Sequence, residues 1–199
     1  MTMRQALSRQ VKLILVILLG YLCHVCVMPY FQVGGITPSL LIAVTAIVTV
    51  GYGMLRGLWT SLCYGIVMEI MLPTVPMLNL LFYPISGLLC AVFFADRSEA
   101  QLQYQRSIGK RGRNISPLLR TALFALVNVA VYEIVNLVYM YLSGADITAA
   151  LIQRGLTDVL ATTALTVIIM VPVRKLLGFR KKEETQAPAM RFDHRPARD

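Results

Sequence analysis

From Leu13 to Leu55 the chain carries no Asp, Glu, Lys or Arg, and from Gly57 to Ala95 it carries only Glu69. Apolar stretches on this scale have too few polar residues among them to cover a core in water, so lipid must take the place of a polar surface. Composition agrees, with 57% hydrophobic and 15% charged residues in 199, where a soluble domain carries about 25% charged. The charges gather at the N-terminus, around 96 to 120 and beyond 173. The sequence therefore predicts an all-α integral membrane protein.

A span needs about 20 apolar residues, within a range of about 17 to 25. Six segments qualify: about 12 to 31, 36 to 55, 57 to 72, 75 to 95, 118 to 142 and 155 to 174. The third is short and ends at Pro73, and the charge distribution tests it. With six alternating spans, every Lys and Arg except Arg154 falls on one side; without the third, the basic loop and the basic tail both fall on the side opposite the basic N-terminus and Arg56. The positive-inside rule then puts both termini in the cytoplasm. Trp59 suits an inner interfacial belt, and Tyr30, Tyr139 and Tyr141 an outer one. Residues 1 to 178 form the membrane domain, and 179 to 199, with Pro188, Pro196 and mixed charges, have the composition of a disordered cytoplasmic tail. The basic loop and tail set topology, and Arg174-Lys175 and Arg180-Lys181-Lys182 add attraction to anionic lipid, about 1 kcal/mol per basic residue.

The first segment has a basic flank (Arg4, Arg9, Lys12) but no small-x-small cleavage site after its apolar run, so it is expected to be an uncleaved helix. All four cysteines, Cys23, Cys26, Cys63 and Cys90, lie in apolar segments. Cys23 and Cys26 flank His24 on one helix face. Zinc needs more ligands than that spacing supplies, and His194 lies in the charged tail, so neither a metal nor a redox cofactor is expected.

Depth follows from about 1.5 Å of rise per residue. Glu69 and Glu133 each lie about 13 residues beyond an inner arginine (Arg56, Arg120), roughly 20 Å from the cytoplasmic edge. His24 lies at about 18 Å, and Asp158 enters from the outer side just after Arg154. Facing lipid, each acid would cost about 2.5 to 3.5 kcal/mol, so the glutamates should face protein or water. Gly57, Ser61 and Gly65 precede Glu69 at four-residue spacing, a ridge of small residues that permits close helix approach. Asn128, Tyr132 and Asn136 form a second stripe, with Glu133 beside it.

In the run GIVMEIMLPTVPMLNLLFYP (65 to 84), Pro73 is expected to stop the third helix, Thr74 to cap the next and Pro76 to fit its first turn. Pro84 removes a backbone bond to the Leu80 carbonyl and is expected to kink the fourth helix near Asn79. Two readings of this polar group stay open. One is packing by interhelical hydrogen bonds, about 0.6 kcal/mol each. The other is an outward polar cavity or partner surface built from Glu69, Glu133, Asp158, Asn79, Asn128, Asn136 and His24. No P-loop, GxSxG or HExxH motif occurs, so no enzyme is expected.

The stretch from Ile36 to Asp96 resembles MreD, the bacterial rod-shape-determining membrane protein family. The likeness lies in a proline-led second helix (Pro38), a glycine turn with one basic residue (Gly53, Arg56, Gly57), a third helix ending in an acid, a short outer turn, and a fourth helix with Tyr83 and Gly87. Where the family commonly has aspartate, this chain has Glu69. The size, the six-helix layout and the basic tail agree over about residues 10 to 178.

The resemblance implies a multi-pass protein of the bacterial plasma membrane and a non-enzymatic scaffold of the cell-wall elongation machinery. It would bind MreC, and through it the peptidoglycan transpeptidase and RodA, on a track of MreB filaments; no nucleic-acid partner is implied. The fold would be similar to that of the substrate-binding components of energy-coupling-factor transporters. The alternative is such a vitamin-type subunit, although the first helix offers only Gly20 among bulky aliphatics as a docking surface. A third reading, an ion-coupled carrier using Glu69 and Glu133, would need opposing elements or repeats, and none is visible.

Overall fold

The computed structural model describes residues 3–71, 77–94, 116–144 and 146–178. The PTVP turn with its Thr74 cap, the basic loop 97 to 113 and the tail 179 to 199 lie outside the described residues. Among the described residues the chain is helical, with six α-helices and an isolated bridge between Val33 and Ile36. These are α1 (Met3–Cys26), followed by a 3-10 turn at Met28–Tyr30, then α2 (Leu40–Tyr52), α3 (Met54–Met71), α4 (Leu78–Phe94), α5 (Pro117–Leu142) and α6 (Ala149–Leu176). Three of them, α1 with its 3-10 turn, α5 and α6, are long and apolar enough to cross a membrane; α2 and α4 are apolar but shorter.

Local chemistry sets the ends of these helices. The second helix was expected from residue 36, but it starts at Leu40. Pro38 holds Thr37 toward extended backbone, and Ser39 takes the N-cap, its hydroxyl oxygen accepting from the Ile42 amide at 3.5 Å. At the other end Gly53 sits at φ 94, ψ 173, a conformation open to glycine almost alone, so α3 can begin at Met54 without a longer loop. Ser116 caps α5, accepting from the Leu119 amide at 3.3 Å, with Pro117 in the first turn. The sixth helix extends past the expected 155 to 174 at both ends, because Gln153 and Arg154 continue the helix where the apolar run has stopped. Pro84 lies inside α4 and Pro172 inside α6. In lipid, neighbouring helices make such interruptions tolerable.

The shortest helix is the central one. Every residue of α2 from Leu40 to Val50 is buried, and α1, α3, α4, α5 and α6 all pack against it. At 13 residues it is about 20 Å long. The extended approach through buried Ile36 and Pro38 lengthens the column inside protein, where non-helical backbone is tolerated. Thr45 and Thr49 are buried here because their hydroxyls donate to the Leu41 and Thr45 carbonyls one turn back.

The ridge of small residues on α3 sets two contacts. A side chain at Gly57 would strike Thr49 of α2, and one at Gly65 would meet the Asn79 carbonyl oxygen of α4. Between them Ser61 lies against Gly87 of α4. The outward faces are the reverse in character: Leu81, Ile85, Leu89, Val92 and Phe93 on α4 are each more than half exposed, from 54% to 79%. An apolar stripe of this length is at home in hydrocarbon and not in water.

Candidate functional site

The end of the bundle that holds the N-terminus of α2 also holds the C-terminal half of α5 and the N-terminal half of α6. Gly155, Asp158 and Thr162 of α6 share one helix face at spacings of three and four. Because Gly155 has no side chain, the Glu133 carboxyl of α5 fits against it; a Cβ there would lie 3.1 Å from Glu133 Oε2. The carboxyls of Glu133 and Asp158 meet within hydrogen-bonding reach.

A chain of polar contacts leads from this pair to the central helix. The Ser39 amide donates to Thr162 Oγ1 at 2.9 Å, and the Thr162 hydroxyl donates to Asp158 Oδ1 at 3.0 Å. The Ser39 side chain is in turn within hydrogen-bonding reach of the Tyr83 hydroxyl on α4. Tyr132, next to Glu133, packs edge-on against Phe82 and Tyr83, with ring centroids 5.1 and 6.1 Å apart. Four helices, α2, α4, α5 and α6, thus meet at one partly buried polar cluster. Arg154, exposed on α6, is the nearby positive charge acting on both carboxyls.

Glu69 has a separate task. Its Oε1 accepts from the Met77 amide at 2.6 Å and its Oε2 from the Asn79 amide at 3.1 Å, so this α3 carboxylate closes the N-terminus of α4. Backbone amides left without partners at a helix start carry partial positive charge, and a carboxylate satisfies both needs at once. Met77 occupies φ 67, which turns the chain into this arrangement.

The seven residues expected to form one outward cavity or surface therefore divide. Glu133 and Asp158 come together, and Glu69 and Asn79 form the α3–α4 junction. Asn128 is buried on α5 one turn before Tyr132, and Asn136 is partly buried one turn beyond it. His24 is partly buried at the end of α1, with Nδ1 lacking a hydrogen-bond partner among the described residues. No three His, Cys, Asp or Glu side chains among the described residues are grouped to hold a metal ion.

Ser39, Thr162 and Gly155 were not singled out from the sequence, though each left a signal. A serine directly before an apolar helix is an N-cap pattern, and Gly155 and Thr162 flank Asp158 at helical spacing. What the sequence does not show is which acid these residues serve.

Two grooves lie on the sides of the bundle. One, of about 420 Å³, runs between α4 and α5 and is lined by Leu78, Leu81, Phe82, Ile85 and Val131. The other, of about 220 Å³, separates α1 from α3 and is lined by Ile14, Leu18, Tyr21, Tyr64 and Val67. Across it the Tyr64 hydroxyl donates to the Ile17 carbonyl at 3.1 Å. Both grooves are apolar. Compared with protein-family models, characterised proteins and solved structures, the chain matches none.

Proposed function

We propose that the chain is a non-enzymatic, multi-pass scaffold of the bacterial plasma membrane, acting in the cell-wall elongation machinery that sets rod shape. In this reading it spans the membrane six times with both termini in the cytoplasm. It binds an MreC-like protein, and through it the peptidoglycan transpeptidase, RodA and MreB. The sequence resemblance from Ile36 to Asp96 supports the family assignment.

The observation that favours a scaffold is the use made of the buried polar groups. Glu133, Asp158, Thr162, Ser39 and Tyr83 contact one another across four helices, and Glu69 is held by two backbone amides. Polar groups arranged this way fix helix packing. They hold a rigid outer end on which another protein can dock.

The test is depletion of the protein in its native cell, combined with a pull-down of the tagged chain in mild detergent. Rounded cells and a copurifying MreC-like protein are expected. Unchanged shape together with a copurifying ATPase-linked transport module would overturn the scaffold in favour of a transporter subunit.

A further inference from the structure

The opposite end of the bundle carries a basic corner where three helices meet. The α2–α3 junction is tied to the end of α6: Leu177 is buried in the core, and its carbonyl accepts from the Tyr52 hydroxyl at 3.1 Å. Arg56 stacks on the same tyrosine, its guanidinium carbon 4.8 Å from the ring centroid. A cation held over an aromatic face is positioned before any ligand arrives. The last turn of α6, which leads directly into Leu177, carries Arg174 and Lys175.

Two further features say what such a corner faces. Trp59, three residues beyond Arg56, is 61% exposed, and an exposed tryptophan at the end of an apolar helix marks the headgroup level of a bilayer. Leu55 and Leu176, each adjacent in sequence to one of the cations, are also exposed. Cations on the same helix turns as exposed apolar side chains match a molecule with an anionic head and apolar chains. A soluble anion or an acidic protein segment has no use for the leucines.

We infer that the corner formed by Tyr52, Arg56, Lys175 and Leu177 binds the phosphodiester headgroup of an anionic glycerophospholipid, with Leu55, Trp59 and Leu176 against the start of its acyl chains. Arg56 supplies the fixed, planar donor and Lys175 the mobile charge. The bound lipid bridges the α2–α3 junction to the end of α6. This inference does not depend on the proposed function.

The test uses the full chain purified from micelles containing equal phosphatidylglycerol and phosphatidylcholine, with retained lipid measured by mass spectrometry. The wild type is expected to be enriched in phosphatidylglycerol. R56Q and K175Q should each reduce that enrichment roughly fivefold, the factor expected for one basic residue at a membrane surface, and R56K/K175R should keep most of it. Equal enrichment in the wild type and R56Q/K175Q would overturn the inference. So would displacement of the lipid by millimolar inorganic phosphate, which would mark a site for a free anion, or loss of the enrichment on adding an acidic peptide. If the double variant fails to fold, K175Q alone decides, because that side chain is exposed on the final turn.

Discussion

Glu69 stands in an apolar run because its carboxylate meets two backbone amides at the start of α4. Its place in an apolar run marks it out in the sequence, but the amides that receive it belong to residues after a turn. Both carboxyl oxygens accept a backbone amide, so loss of the side chain removes two hydrogen bonds at once. Replacing Glu69 with alanine is therefore expected to cost about 1 to 2 kcal/mol, the upper range for loss of a cap, read as a lower midpoint of thermal unfolding in detergent. Glu69→Gln should cost less, since its amide oxygen still accepts. An unchanged midpoint in the alanine variant would remove the capping role. The same lesson holds at Gly57 and Gly65: four-residue spacing identifies a ridge, but only the packed bundle shows that one glycine faces Thr49 and the other the Asn79 carbonyl.

Between elements, the informative link is α5 to α6. Glu133 and Asp158 are separated by a connection and part of a helix, and nothing in their local sequence pairs them. They meet because Gly155 lets α5 approach and because Thr162 passes the contact on to Ser39 at the start of α2. Residues in one hydrogen-bonded network do not contribute independently to stability. In a double-mutant cycle, Glu133→Ala and Asp158→Ala should show a coupling energy of about 0.5 kcal/mol or more. Additive effects on unfolding would mean that the two acids act separately. The element ends were more legible. Ser39 before an apolar run, Gly53 after one, and Ser116-Pro117 are punctuation whose physical effect is local, although the span expected from residue 36 begins as a helix only after the Ser39 cap.

For the whole molecule, the decisive arrangement among the described residues is a short apolar helix packed against five others, with apolar side chains outside and hydroxyls and glycines set among apolar side chains inside. Side chains in contact with lipid gain nothing from polarity, so close packing and hydrogen bonding choose what faces inward. The six-span reading predicts that the start of α6 and its end lie on opposite sides of the membrane. In a chain whose native cysteines are replaced by alanine, Ala150→Cys should react with a membrane-impermeant thiol reagent added to intact cells. Leu176→Cys should react only after the cells are opened. Labelling of both from outside, or of Leu176→Cys alone, would break the alternation.

The sequence by itself determined the apolar character of this protein's helices, its helical class and the approximate position of each helix. These depend on hydrophobicity, charge and local backbone preference, which each segment carries alone. Tertiary structure decided that α2 is the central column, that Glu133 finds Asp158 while Glu69 serves the start of α4, and that Tyr52 joins Arg56 to the end of α6. Those facts depend on which helices are neighbours and how each is rotated. Both follow from packing summed over the whole bundle, and no single segment contains that sum.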